Sequence, residues 1–426
     1  MSRPTPHDAP SIAQRTRSDD SPSAHPGATR HRAGTPMQAA LRLLVITELF
    51  LPTKGGTAVS FDDDFRRLGG KDVHIVTAEV PGAAEFDRDH PNRLHRRKLH
   101  RVAWMNPESL PVYLKLMANS LWLAATRRLD AIFAARALPE GLVALFVGRL
   151  TGRPVLTWAH GEELTTWSRS RRFRPMCLAL RHADRVLANS DYTREVLVDL
   201  IGVAPERIAL VYPTVDAERF QPASGGERLR TSLGLSDDQR LILSVGRLQP
   251  RKGFDNVIRA LPSLLERGFD VHHAVIGIGE DHDRLAELAD ELGVAQRVHL
   301  LGHVSYEDLP RWYNACDVFA MPNREINGDT EGFGLVFLEA AASAKPAIAG
   351  VAGGTGSAVV DGETGLRVDG EHVEAIATAL AHLFQDPAAA AAMGRRARER
   401  VLANFTHGRR IEQLRALALS GRTRGR

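Results

Sequence analysis

The sequence predicts an α/β protein of two doubly wound domains that face each other across a cleft. Three observations carry this expectation. Short apolar runs alternate with helix-length segments along most of the chain, the pattern of parallel sheets with helical crossovers. The alternation restarts after the stretch from Tyr212 to Ser224, where Pro213 and Pro222 bracket polar residues. The length, 426 residues, exceeds what one hydrophobic core usually organises.

The first strand is expected within LRLLVITELF, Leu41 to Phe50, an apolar run of the length of a buried parallel strand. The turn LPTKGGTAVS and a helix follow. DVHIVTAEV, DAIFAARA, PVLTWAHG and DRVLANS are the next strands, with helical segments such as LPVYLKLMANSLWLAATRRL between them. RIALVYPTVDAERF supplies a last strand that runs into the connection. RLILSVGRL opens the second series, continued by HHAVIGIGE, RVHLLGH, DVFAMPN, KPAIAG and GLRV, and FTHGRRIEQLRALAL is a helix. The expected divisions are a disordered tail over 1–39, a Rossmann-like domain over 40–213, a second over 214–403, and a C-terminal helix and tail over 404–426 that packs back on the first domain. The tail is rich in Pro, Ser, Arg and Asp and cannot bury much surface. Ligands of such sheets bind beyond the carboxyl ends of the strands.

Apolar residues make up 43% of the chain, charged residues 25%, and the net charge is +4. These values fit an ordinary globular protein and demand no nucleic-acid partner. The two cysteines, Cys177 and Cys316, show no metal-ligand spacing and suit a reducing, cytoplasmic setting. No run is long and apolar enough to span a bilayer, and the N-terminus lacks the apolar centre of a signal peptide. Two basic clusters, HPNRLHRRKLHRVAW and RSRRFRPMCLALRHADR, fit either a solvated face in an Arg-rich protein or a peripheral position on the anionic inner face of a membrane.

The chemistry concentrates in the second half. In TEGFGLVFLEA, Glu331 and Glu339 flank a Gly-Phe-Gly turn between a strand and a helix. A helix N-terminus offers free amides and a positive dipole end, and Gly332 and Gly334 let a ligand approach the backbone, which suits a phosphate. SVGRLQPRKGFDNVIRALPSLL places Arg247 and Lys252 after another strand, where a planar fork and a point charge can meet phosphate oxygens. Against this, either feature alone fits a capped helix or a pair of solvated cations. GIGEDHDRL has Gly277 and Gly279 but His282 at the third position, so the dinucleotide fingerprint is absent and a dehydrogenase is rejected.

Together these segments resemble the retaining glycosyltransferases of family 4, which have the GT-B fold, and in particular members that mannosylate phosphatidylinositol-type lipids. The resemblance runs from Leu41 to the C-terminal helix, and its most specific element is the E-x7-E pair Glu331 and Glu339 preceded by the GRL…KG segment. It implies that Arg247 and Lys252 neutralise the donor diphosphate, that Glu339 binds the nucleotide ribose and that Glu331 lies beside the transferred sugar. Amides of Phe333, Gly334 and Leu335 would meet sugar hydroxyls and phosphate, and backbone near His303 and Val304 would read the base. Gly55 and Gly56 match the family's Gly-Gly loop, and His160, at the end of WAH, matches a histidine close to the transferred sugar. Ser190 is expected to cap a helix, and Arg194 to approach the cleft. The first domain would face the acceptor and the second the donor.

The activity so implied moves a hexose, such as mannose or glucose, from a nucleoside-diphosphate sugar to a hydroxyl of a glycan or lipid-linked acceptor. It needs no cofactor and no bound metal, because the two cations and the helix N-terminus stabilise the leaving charge. The alternatives are a sugar-nucleotide epimerase of the same architecture and a non-catalytic sugar-nucleotide-binding protein.

Overall fold

A computed structural model describes residues 41–53, 56–101, 108–223 and 225–420. The expected tail over 1–39 and the final residues 421–426 lie outside them, as does Gly55. The first half contains β1 (Leu43–Ile46), α1 (Gly56–Gly69), β2 (Val73–Ala78), α2 (Ala83–Arg88), β3 (Arg93–Arg97), α3 (Leu110–Thr126), β4 (Ala131–Ala134), α4 (Leu142–Thr151), β5 (Val155–Ala159), α5 (Glu162–Thr166), α6 (Phe173–His182), β6 (Arg185–Ala188), α7 (Asp191–Val196) and β7 (Ile208–Leu210). The second contains α8 (Gly226–Ser232), β8 (Arg240–Val245), α9 (Phe254–Glu266), β9 (Val271–Ile276), α10 (His282–Glu291), β10 (Val298–Gly302), α11 (Leu309–Ala315), β11 (Val318–Met321), α12 (Leu335–Ala342), β12 (Ala347–Gly350), β13 (Gly365–Val368), α13 (Val373–Gln385) and α14 (Pro387–Asn404), after which α15 (His407–Ser420) closes the described chain.

The strands form two parallel sheets, in the orders β3-β2-β1-β4-β5-β6-β7 and β10-β9-β8-β11-β12-β13. In each, the order reverses beside the first strand, so the connections after β1 and β4, and after β8 and β11, leave toward opposite sides of a crevice. The central strands β1, β4, β5, β8, β9, β11 and β12 are buried along most of their length. That two-sided burial is why they read as unbroken apolar runs rather than alternating ones.

The first sheet ends at Leu210, and Val215 and Phe220 already belong to the core of the second domain. Helix α15 returns to the first domain. Leu414 and Ala418 join its core, and buried Arg410 forks onto the carboxylate of Asp64 in α1 at 2.7–2.9 Å. No described helix is long and apolar enough to cross a membrane.

The first basic cluster is partly built into the fold: Arg93–Arg97 forms the edge strand β3, paired with β2, while Arg93, Lys98, His100 and Arg101 stay exposed. Arg96 is only 10% exposed and binds Asp87 at 2.8 Å, and Arg97 donates to Asn119 at 2.5 Å. An edge strand pairs on one side only, which tolerates charged residues that a central strand would exclude.

Candidate active site

The connection leaving β8 carries Arg247, Arg251 and Lys252, and the connection leaving β11 carries Asp329, Glu331, Gly332 and Gly334. With Gly56, His160 and Glu162 from the first domain, most of these residues line a cavity of about 360 Å³. Lys252 Nζ donates to Glu331 Oε2 at 2.5 Å, and Arg251 Nη1 donates to the same oxygen at 3.1 Å. Arg251 also pairs with Asp329 at 3.1 Å and reaches Glu162, at the start of α5 in the other domain, at 3.7 Å. Arg247 is exposed and makes no side-chain hydrogen bond or ion pair among the described residues. Of the four cations that border the cavity, Arg251, Lys252 and Arg410 are already matched to carboxylates.

Burial opposes ionisation of Glu331, but the neighbouring Lys252 and Arg251 charges outweigh it and hold the carboxyl below its usual range. Both cations converge on Oε2, which leaves Oε1 without a hydrogen-bond partner among the described residues. Glu339 is different. It does not line the cavity; its Oε2 accepts the Tyr313 hydroxyl at 2.7 Å, and burial pushes its pKa up to about 7. The two glutamates are alike in the sequence and opposite in state: one is locked as an anion, the other is poised to titrate.

Gly334 caps α12 in the left-handed region, φ 87°, and a Cβ there would stand 2.6 Å from the Phe337 ring. At Gly332 a Cβ would collide with the His160 carbonyl oxygen of the opposite domain. These two glycines are therefore required by conformation and by close approach respectively. The Phe337 amide bonds to the Gly334 carbonyl, but no side chain caps the amides of Leu335 and Val336, which remain available to an anion. Leu335 borders the cavity, and a Cβ on Gly56 across from it would lie 3.4 Å from its side chain.

His160 follows β5, and its ring stacks on Trp158 with centroids 6.4 Å apart. Its Nε2 lies 2.9 Å from the Ala135 carbonyl oxygen. A carbonyl can only accept, so Nε2 carries a proton, and Nδ1 makes no hydrogen bond among the described residues. The His160 amide is held by Glu163 Oε1 at 2.9 Å.

The remaining expected residues fall elsewhere. The Phe333 ring is buried in an aromatic cluster with Tyr212 and Phe405, centroids 6.2 and 6.0 Å away, and Phe333 does not border the cavity. Val304 packs against the second domain's core and does not border the cavity. Ser190 caps α7, accepting from the Thr193 amide at 3.1 Å. Arg194, expected to approach the cleft, instead pairs with Asp191 at 3.3 Å, is half exposed and does not line the cavity; a partner one helical turn away holds it on its own helix.

Sequence reasoning missed Arg251, Asp329 and Glu162, and it missed Arg410, which lies over the Trp158 ring at 4.7 Å and borders the cavity. The only local signal for Arg251 is its place beside Lys252 in QPRKGF. Among the described residues no group of three or more His, Cys, Asp or Glu side chains is arranged to hold a metal ion.

The arrangement can bind a diphosphate between Arg247, Lys252 and the start of α12, with sugar hydroxyls toward Glu331 and His160. Comparison with known proteins identifies the family. The family model described as Glycosyltransferase Family 4 matches residues 55–219, and that of Glycosyl transferases group 1 matches residues 226–400. The chain is 34% identical over 394 residues to a GDP-mannose-dependent alpha-(1-6)-phosphatidylinositol monomannoside mannosyltransferase of Mycolicibacterium smegmatis, covering 90% of this chain and 100% of that protein. It is 31% identical to a GDP-mannose-dependent monoacylated alpha-(1-6)-phosphatidylinositol monomannoside mannosyltransferase of Corynebacterium glutamicum, covering 87% and 96%. Among solved structures, Anabaena Alr3699/HepE in complex with UDP superposes with a TM-score of 0.75 at 21% identity, over 89% of this chain and 100% of that one, a likeness of fold. The chain belongs to glycosyltransferase family 4 and is a GT-B glycosyltransferase that works from a nucleotide-sugar donor.

Proposed function

We propose that the chain transfers mannose from GDP-mannose, with retention of anomeric configuration, to a hydroxyl of a phosphatidylinositol mannoside-type lipid at an anionic membrane surface. The observation that carries this reading is the nearly full-length agreement with relatives named for that donor and that acceptor class. In this reading Arg247, Lys252 and the α12 amides take up the charge that develops on the leaving diphosphate, with no bound cation required. Lys252 must then share its charge between Glu331 and phosphate, so donor binding loosens the pair seen here. Glu331 Oε1 and His160 Nδ1 accept from hydroxyls of the sugar and hold it against the acceptor. Glu331 already serves two cations through Oε2, which suits a positioning anion better than a nucleophile. The acceptor proton passes to the leaving phosphate on the same face of the sugar.

Membrane contact rests on the second basic segment, where Arg171, Arg172 and Arg174 are all exposed. The test presents purified protein with GDP-mannose, UDP-glucose and ADP-glucose, alone and with anionic vesicles containing inositol phospholipid. GDP-mannose should raise the melting temperature most, because a ligand at about 100 times its Kd adds roughly 2.7 kcal/mol. Mannose should enter the lipid with or without EDTA. Stronger stabilisation by a uridine or adenosine sugar would overturn the donor assignment. Transfer only to water, whatever the vesicle, would overturn the acceptor assignment.

A further inference from the structure

A second cavity, of about 890 Å³, opens in the first domain, outside the donor site. Its walls are the facing sides of α3 and α4: Val112, Leu114 and Met117 on one, Leu142, Val143 and Phe146 on the other. Its mouth is charged. Arg101, Arg136, Arg171 and Arg172 border it against Glu48 and Glu108, and the Glu48 carboxylate is already paired with Arg101 at 3.4 Å. Leu114 and Phe146 at the lip are 59% and 44% exposed, and the apolar face continues along the same helices through Trp122 and Leu150, 55% and 72% exposed.

The cavity also has a fixed relation to the transfer site. Glu48 follows β1, Arg136 follows β4, and the carbonyl of the neighbouring Ala135 holds the His160 ring. Helix α5 separates the two spaces: Glu162 at its start lines the donor cavity, and Trp167 just past its end lines the apolar one. A helix of this length spans only about 7.5 Å. The volume lies within the roughly 300–1,000 Å³ typical of small-ligand sites. Apart from Ser109, Tyr113 and the charged mouth, the walls of Leu, Val, Met and Phe offer no partner to hydroxyls, so burying a sugar against them would leave most of its polar groups unpaired.

Resting on the acceptor class proposed above, we infer that this cavity takes an acyl chain of the lipid acceptor while Arg171 and Arg172 hold the headgroup phosphate at its mouth. The headgroup hydroxyl then lies across α5, beside the donor sugar. The exposed lip of Leu114, Trp122, Phe146 and Leu150 is the path by which the chain leaves the bilayer for the slot.

The test uses monomeric lyso-phosphatidylinositol below its micellar concentration, with hexadecanoyl or octanoyl chains, and chain-free glycerophosphoinositol, each titrated calorimetrically into the full chain. Affinity should fall roughly three- to fourfold for each methylene removed from the part of the chain that the slot buries. Met117→Trp, or Leu142→Trp on the opposite wall should the first not fold, fills the slot and should erase the dependence on chain length. An unchanged GDP-mannose thermal shift certifies the fold of each variant. Equal affinity for the chain-free and hexadecanoyl compounds would overturn the inference, as would a chain-length dependence that survives in both variants. GDP-mannose stabilisation without any chain-length effect would remove the slot and leave the proposed reaction standing. Chain-length dependence without GDP-mannose stabilisation would do the reverse.

Discussion

The two halves of this molecule are built on one plan and do different work. Their sheets run in corresponding orders, with β1 to β6 matched by β8 to β13. They even share a detail: His74 stacks on His95 across β2 and β3 with centroids 5.2 Å apart, and His272 stacks on His299 across the corresponding β9 and β10 at 5.3 Å. What differs is the connections after corresponding strands. After β8 and β11 they carry Arg247, Arg251, Lys252 and Glu331 around a small polar cavity. After β1 and β4, together with α3 and α4, they frame a large apolar one. The lesson is that rigid strands set where a site can be, and the loops at their carboxyl ends set its chemistry.

If that division holds, substitutions in the differing connections should alter kinetics, and substitutions in the shared sheet features should alter stability alone. The largest effect is expected at Glu331. In the proposed reaction Glu331→Gln removes the anion beside the transferred sugar and should lower kcat by about a hundredfold, since each charge-assisted hydrogen bond is worth about 1.5–3 kcal/mol. Affinity for GDP should not weaken, because Lys252 and Arg251 are released toward the diphosphate. Near-parental kcat in this variant would break the comparison at its centre.

A smaller effect, with a pH signature, is expected at Glu339. Its pKa of about 7 makes the parental carboxyl largely neutral below that pH; the ribose contact that the family resemblance implies for it, although it stands outside the cavity, would be strongest above it. The parental donor KM should therefore fall as pH rises through about 7. Glu339→Gln should raise KM by about tenfold at pH 8, leave it little changed at pH 6 and flatten the profile. A variant profile that still titrates near neutrality would show that another group is responsible.

The smallest effect concerns the paired histidines. Burial, reinforced by the neighbouring imidazole, lowers His95 and His272 to about 4. Between the ordinary value near 6.5 and about 4, the unfolded chain binds more protons than the folded one. The stability due to these neutral rings is thus complete above pH 6.5 and is lost as pH falls toward 4. His272→Gln should reduce the drop in melting temperature between pH 7 and pH 5 by a few degrees, in proportion to about 2–4 °C per kcal/mol. Its kinetics at pH 7.5 should match the parent; a kinetic defect there would blur the line between scaffold and site.

Much of this was legible in the residues themselves. The strand–turn–helix of TEGFGLVFLEA is local: the Gly332 and Gly334 turn, the helix start and the spacing of the glutamates all follow from a few consecutive residues. The same is true of Ser190 as a cap. The unequal states of Glu331 and Glu339 were not legible, because the partners that set them, Lys252 with Arg251 and Tyr313, come from other elements. Nor was the fate of RLHRR, whose composition reads as a basic surface and whose place is a sheet edge.

The sequence by itself thus determined the α/β alternation, the restart that makes two domains, and the family to which the donor-binding segments belong. These are recorded in periodicity, turn residues and short-range spacing, which act along the chain. The tertiary structure decided that Arg251 lies between the domains with Glu162, Asp329 and Glu331 around it. It decided that α3 and α4, packed on each other, wall an apolar slot, and that Arg410 of α15 closes over Trp158. Such neighbours are distant in sequence, and what brings them together is the packing of whole helices on two sheets, which no short window of residues encodes.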